Sequence, residues 1–117
     1  MGPDAIRTSA LVALAELALT GSVCSSDHLY MFPNGARLDD EIEAADMIGV
    51  RLHAARGSMS IGESDGGLPP DSLVENETAI LKGSLRAIQT WHDQTGRDDP
   101  CRRRPLLAIL CQPGLDA

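Results

Sequence analysis

Three stretches of this chain carry apolar residues at the three- and four-residue spacing of an amphipathic helix. The first occupies residues 6–19 and the second residues 38–48, and each is followed within two residues by a glycine. The third comes after a Pro-Pro-Asp sequence and covers residues 71–91. Glycine just past the last periodic residue is a common helix end, so the pattern predicts three helices, of which the first two have a defined end.

Two short segments between these helices, residues 22–26 and 50–55, have the length of buried strands. The first consists of small residues. In the second, Val50, Leu52 and Ala54 alternate with Arg51, His53 and Ala55. Strands that alternate with helices are typical of a parallel sheet, so we expect an α/β fold.

The candidate functional residues follow the two predicted strands. The loops that leave the carboxyl ends of parallel strands commonly carry the chemistry of such folds, and His28 and Arg56 lie there. Arg56 can offer paired donors to ring carbonyl or nitrogen acceptors, or form a salt bridge with a nearby carboxylate. His28 can contact a substrate, or stabilise the loop at Asn34 and Gly35 by a hydrogen bond. We expect both residues to bind substrate, with these structural roles as alternatives.

The long loop at residues 56–70 is rich in Gly and Ser and contains Met59. It is either a lid over a flat ring or a plain connection. Asp27 precedes His28 and is a candidate to fix its tautomer, whereas His53 lies inside a strand and is expected to be buried in a structural role.

The composition of the chain limits the classes of molecule that it can bind. The formal net charge of −7 argues against a nucleic acid or an anionic membrane surface. The apolar run in the first helix is too short to span a bilayer and contains Glu16. Three cysteines, Cys24, Cys101 and Cys111, show no metal-ligand spacing, so a reducing, cytoplasmic setting is expected.

After residue 97 the pattern changes. Residues 98–117 contain three prolines and the run Arg102 to Arg104, and we expect an irregular tail in place of the Val-rich strand that a βα series requires. With permissible codons and a shift of one base, the same DNA can encode MIRVVVAPCSPFSVSPDLM, which begins with such a strand. We therefore expect a frameshift near Arg97 or Asp98. A native basic tail, suited to binding nucleic acid, is the alternative.

Long stretches of the chain resemble one enzyme family. RTSALVALAELALTG, SSDHLYMFPNG, DDEIEAA, RLHAARGSMS and GGLPPD are similar to the middle of amidohydrolase-superfamily deaminases, in the subgroup of 8-oxoguanine deaminases and hydroxyatrazine (hydroxydechloroatrazine) ethylaminohydrolases. The shifted-frame peptide VVVAPCSPFSV resembles the strand that follows in that family. On this basis residues 1–97 are expected to form part of a (β/α)8 barrel, about two to three βα units, and not a complete barrel.

The resemblance implies metal-dependent hydrolytic deamination of a small heterocyclic substrate, with zinc or iron activating water. The family's metal ligands include a His-x-His pair, later histidines and an aspartate, and none of them is in this sequence. The chain would correspond to the second and third barrel strands, with no catalytic residue and no metal ligand. We expect it to be inactive alone, and assembly into a homo-oligomer stays open.

Two other readings compete with an enzyme fragment: a small non-catalytic α/β interaction module, and a degenerate pseudogene product. A fragment of a barrel exposes both sheet edges and apolar helix flanks, so it should aggregate or stay molten. An interaction module should unfold cooperatively.

The reading frame is tested by sequencing the genomic DNA through the codons for residues 96–117 and past the present stop. We expect a missing or extra base, with the corrected frame continuing through VVVAPCSPFSV to later histidines and an aspartate. A confirmed frame would instead make residues 98–117 a native tail.

Overall fold

The computed structural model describes residues 2–91 with their side chains and residues 106–109 as backbone. Helices and strands follow one another as α1 (Pro3–Leu19), β1 (Cys24–Leu29), α2 (Leu38–Ile48), β2 (Arg51–Arg56), α3 (Glu77–Trp91) and β3 (Leu106–Ile109). Among these residues, no helix has the length and apolarity needed to cross a membrane.

The three strands form one sheet in the order β1-β2-β3, and both pairs are parallel. Helices connect the strands in sequence, because parallel neighbours require a crossover. The expected α/β fold with a parallel, unclosed sheet is thus confirmed.

The element boundaries agree in part with the sequence pattern. Helix α2 matches the predicted residues 38–48 and ends at Gly49, whose φ of 82° is left-handed. Strand β1 lies further along the chain than the predicted residues 22–26, and β2 is displaced by one residue from 50–55. Helix α3 begins at Glu77 and not at residue 71, because the Asn76 side chain accepts the Ala79 N–H at 2.7 Å and so caps it.

The expectation of an irregular tail over residues 98–117 is wrong for Leu106–Ile109. This four-residue apolar segment forms β3, which pairs with β2 from His53 to Arg56. Proline-rich sequence favours irregular structure, yet backbone pairing with β2 makes this segment a strand. The run Arg102 to Arg104, Cys101 and Cys111 lie outside the described residues.

Side chains of the sheet alternate between two faces. Leu52 and Ala54 of β2 face the helices and join the core cluster. The remaining buried members of that cluster are Leu14, Leu38, Ile42, Ala45 and Val50. We call the opposite side the open face; it carries Cys24, Ser26 and His28 of β1 and His53 and Ala55 of β2. Cys24 and Ser26 are exposed there, so no helix of the described residues covers this end of the face.

The first turn of α2 links the neighbouring helices. Asp39 accepts hydrogen bonds from Arg86 and from Trp91 Nε1, both in α3. Burial opposes ionisation of Asp39, but these hydrogen bonds prevail and its pKa is lowered. Arg7 of α1 pairs with Glu43 at 2.6 Å, so α2 is tied to a helix on either side.

Glu41, in the same turn, is only 2% exposed. Its Oε2 has no hydrogen-bond partner among the described residues. Burial, together with the nearby Asp27 of β1, raises the pKa of Glu41 to about 8. This carboxyl group is therefore protonated in the folded chain near neutral pH.

Glu41→Gln should change how stability depends on pH. Between the ordinary pKa of 4.5 and the folded-state pKa of about 8, the folded chain holds a proton that the unfolded chain has released. Stability from protonated Glu41 is therefore complete below this window and is lost as the pH rises through it. We expect the free energy of unfolding of the wild type, relative to Glu41→Gln, to fall by at most about 1.4 kcal/mol per pH unit.

Urea unfolding of both chains across this window measures the difference. Glu43→Gln is the matched control, because Glu43 lies two residues further on the same helix but is exposed. Parallel pH profiles of the wild type and Glu41→Gln would contradict the assignment of a protonated Glu41.

Candidate functional site

His28 is the penultimate residue of β1 and lies on the open face, with Ala55 as its Cα partner in β2. Its side chain is half-buried, and its Nε2 atom is buried without a hydrogen-bond partner among the described residues. A buried polar atom without a partner costs free energy, so it needs an explanation. The alternative role of His28, a hydrogen bond to the loop at Asn34 and Gly35, stays a prediction.

A cleft with a volume of about 360 Å³ lies beside this ring and is lined by His28, Tyr30, Ser58 and Met59. The His28 and Tyr30 rings are 5.7 Å apart between centroids and tilted by 58°. Two segments supply the cleft, the chain leaving β1 and the chain leaving β2. It therefore combines an imidazole, a phenol, a hydroxyl and a thioether at the carboxyl end of the sheet.

Gly57 lets these two segments approach each other. Its N–H donates to the Leu29 carbonyl at 2.8 Å, which extends the contact between the strands. A Cβ atom at this position would overlap His28 Nε2 and would lie 2.7 Å from Tyr30 Cβ. Only a residue without a side chain fits against the imidazole in this arrangement.

Arg56 points to the other side of the sheet. Its Cα partner Leu29 packs against the core, and its guanidinium lies against Gly83 of α3, so it is on the helix face. The side chain is 6% exposed and forms an ion pair with Glu75 at 2.8 Å. The structural alternative for Arg56, a salt bridge, is thus present, and contact with a substrate stays a prediction.

The loop after β2 is stabilised by hydrogen bonds between its own residues. Glu75 N–H donates to the Met59 carbonyl at 2.9 Å and closes the base of the loop. Within it, Gly67 N–H donates to the Gly62 carbonyl at 2.8 Å, and Asp71 accepts two hydrogen bonds from Ser64. These contacts give the loop a defined backbone path from Met59 to Glu75.

Asp27 does not contact the imidazole of His28. Its Oδ1 accepts the backbone N–H of His28 at 2.8 Å, and its side chain lies on the helix face near Glu41. The expected role for Asp27 in fixing the tautomer therefore finds no contact here. His53 lies on the open face of β2 and is half-buried.

A zinc or iron centre does not fit the described residues. Among residues 2–91 and 106–109, no three His, Cys, Asp or Glu side chains come together as metal ligands. The neighbours of His28 in the cleft are a tyrosine, a serine and a methionine, which are not the usual zinc ligands. We therefore derive no reaction step through a metal from these residues.

Sequence reasoning did not single out Tyr30, Ser58, Gly57 or Glu75. The signal for the first three was their position, because each lies within two residues of a predicted site residue at a strand's end. Glu75 had no such signal, since nineteen positions separate it from Arg56 and only the loop's path brings the two together.

No protein-family model matches the chain. It is 40% identical over 113 residues to the 8-oxoguanine deaminase of Pseudomonas aeruginosa, which covers 95% of this chain and 24% of that protein. It is 30% identical over 93 residues to the hydroxydechloroatrazine ethylaminohydrolase of Pseudomonas sp. strain ADP, with 77% of this chain and 19% of that protein covered. The chain thus spans about a quarter or less of the length of these relatives.

Solved structures show the same partial match. The zinc complex of atrazine chlorohydrolase from Arthrobacter aurescens aligns with a TM-score of 0.75 and 32% identity, over 95% of this chain and 24% of that one. A variant of that enzyme with zinc and atraton aligns with a TM-score of 0.74 and 34% identity, over 93% and 23% of the two chains. The deaminase match necessarily includes most of residues 98–117, whose reading frame stays a prediction.

Gly57→Ala should destabilise the fold at the cleft. The added methyl group overlaps His28, so the imidazole or the strand must move, and we expect the free energy of unfolding to fall by about 1–3 kcal/mol. Gly2→Ala is the control, because the nearest atom to its Cβ is Asn34 Cβ at an ordinary 3.9 Å. Equal unfolding free energies for the two variants, measured in urea, would rule out the tight contact.

Proposed function

We propose that this chain, which is homologous to part of an amidohydrolase-superfamily barrel, supplies one wall of the substrate site of an aminohydrolase acting on a purine or triazine ring. The observation that carries the proposal is His28. Its Nε2, which has no hydrogen-bond partner among the described residues, lies at the carboxyl end of the sheet on the open face, in a chain 40% identical to an 8-oxoguanine deaminase.

The resemblance stated from the sequence is supported along most of the chain. The relatives are named as an 8-oxoguanine deaminase and a hydroxydechloroatrazine ethylaminohydrolase, and two matched structures of atrazine chlorohydrolase are zinc complexes. The sequence identity of 32% is high enough to support a shared type of function as well as a shared fold. The matched segment also covers the strands and loops that form the cleft. Hydrolytic release of an amine or ammonia from such a ring is therefore the reaction that we assign to the whole protein.

The residues of the cleft suit a flat heteroaromatic ring. The ring of His28 lines the cleft, and a rotation that turns its Nε2 away from Gly57 would let that atom exchange a hydrogen bond with a ring nitrogen or an exocyclic oxygen. Tyr30 offers an aromatic surface and a hydroxyl group, and Met59 adds a polarizable apolar contact. These groups bind and orient a ring. The described residues do not supply the metal-bound water, and we propose that the 117-residue chain releases no ammonia alone.

The binding partners and the cellular location that we propose for the protein follow in part from its composition. Net charge −7 argues against nucleic acid and anionic membranes as partners. A cytoplasmic location is favoured by cysteines without disulfide or metal spacing. A small heterocyclic substrate is the partner that the relatives' names support, and assembly into a homo-oligomer is left open.

A segment exchange tests the proposed function. Residues 2–91 of this chain replace only the residues aligned with them in the Pseudomonas aeruginosa 8-oxoguanine deaminase, and ammonia release is assayed with 8-oxoguanine and with hydroxyatrazine. We expect the chimera to be active and to lose at least about tenfold in kcat/KM on His28→Ala, equivalent to about 1.4 kcal/mol. The content of zinc or iron in the chimera should not differ from that of the parent deaminase, because the described residues hold no metal-ligand group.

His53→Gln is the control, because His53 also lies on the open face but lines no part of the cleft. We expect its kcat/KM to stay within about twofold of the unmodified chimera. Unchanged kinetics in His28→Ala would remove His28 from the substrate site. A folded chimera with the metal content of the parent deaminase but without activity on either ring would count against the proposed reaction.

A further inference from the structure

Arg56 joins three segments of the chain at the end of the sheet. Its Nη1 donates to the Gly57 carbonyl at 3.1 Å, and its Nη2 donates to both carboxylate oxygens of Glu75 at 3.0 and 2.8 Å. Its Cζ lies 4.5 Å from the centroid of the Phe32 ring, a cation–π distance. One buried side chain thus contacts the end of β2, the end of the following loop and the loop after β1.

Each of these partners borders a residue of the cleft. Gly57 precedes Ser58, and the N–H of Glu75 donates to the Met59 carbonyl. Phe32 is two residues from Tyr30. The Arg56 side chain itself lies on the helix face and does not line the cleft, so its contacts support the cleft from behind the sheet.

The chemistry of these contacts requires a guanidinium. A buried cation must be paired, and here one planar group serves a carbonyl, a carboxylate and an aromatic ring at once. Lysine would keep the charge but has no planar fork to address the three partners from fixed directions. Gly83 of α3 leaves the space for this plane, since a Cβ there would lie 3.1 Å from Nη2.

We infer that Arg56 is a positioning residue, which sets Ser58 and Met59 against His28 through Gly57 and Glu75, and that it is not a substrate ligand. The inference rests on the proposed function for its effect on turnover. We call Arg56 with its partners Gly57 and Glu75 the clamp. Whether the clamp orders residues 57–76 can be tested without any reference to the proposed function.

Hydrogen exchange of the full 117-residue chain tests the structural part. Arg56→Lys and Glu75→Gln should each increase the exchange rates of backbone amides in residues 57–76 by at least about tenfold. Arg86→Lys is the matched control, because Arg86 also pairs with a carboxylate, that of Asp39, at a distance in sequence from the cleft. Unchanged exchange in residues 57–76 of the two clamp variants would overturn the inference. So would a wild-type segment that exchanges as fast as an unstructured peptide.

Kinetics of the chimeric deaminase separate positioning from substrate contact. If Arg56 acts through Glu75, then Arg56→Lys and Glu75→Gln lower kcat/KM by similar factors, about tenfold, and the double variant loses no more than the worse single variant. A loss in Arg56→Lys with none in Glu75→Gln would make Arg56 a substrate ligand and overturn the inference. An inactive parent chimera would count against the proposed function alone, while hydrogen exchange still decides the role of Arg56.

Discussion

The parallel register between β1 and β2 decides which side chains of this chain face its helices and which face the open side. In that register Leu29 pairs with Arg56 and His28 pairs with Ala55. Successive residues of a strand point to opposite faces, so His28 and Arg56 are separated by the thickness of the sheet. A slip of one residue would exchange the faces and would place Leu52 and Ala54 away from the helices, so burial of these two residues holds the register.

Helix α2 holds the helical layer together through side-chain contacts with its neighbours. Its first turn presents Asp39 to Arg86 and Trp91 of α3, while Glu41 is buried towards β1. Acidic residues at a helix N-terminus stabilise the helix even without tertiary contacts, and this preference was sufficient to predict the start of α2 from the sequence. Their tertiary roles differ because each points in a different direction from the helix axis: one carboxylate is ionised in an ion pair, and one carboxyl group is protonated in the core.

Helix α2 could be predicted from sequence because its apolar period and its terminal glycine agree. The start of α3 could not be separated from the preceding turn, since Pro70 and Asp71 resemble a helix start as much as Asn76 does. Strand β3 was missed because the short apolar segment between Pro105 and Pro113 has little pattern of its own, and only pairing with β2 makes Leu106–Ile109 a strand.

The sequence itself indicates on which face of the sheet Arg56 lies. The prediction of a substrate contact relied instead on the position of Arg56 at the end of a strand. Counting by two from Leu52 and Ala54 reaches Arg56, which places it with the buried side chains. For His28 the same count gives nothing, because β1 is built of small and polar residues with no apolar alternation. The face of His28 follows only from its partner Ala55 in the neighbouring strand.

Gly57 therefore connects Arg56 and His28 across the sheet, because it contacts the imidazole on one face and the guanidinium on the other. The imidazole can lie at the cleft only because Gly57 has no side chain, and the carbonyl of Gly57 is held by Arg56 from the opposite face. The segment that carries Ser58 and Met59 begins at this glycine and is closed at its far end by Glu75, again through Arg56. A buried ion pair is seldom a net source of stability, since removing two charges from water is costly. Its value here lies in geometry, because one planar guanidinium holds both the Gly57 carbonyl and the Glu75 carboxylate, at the two ends of the cleft-forming segment.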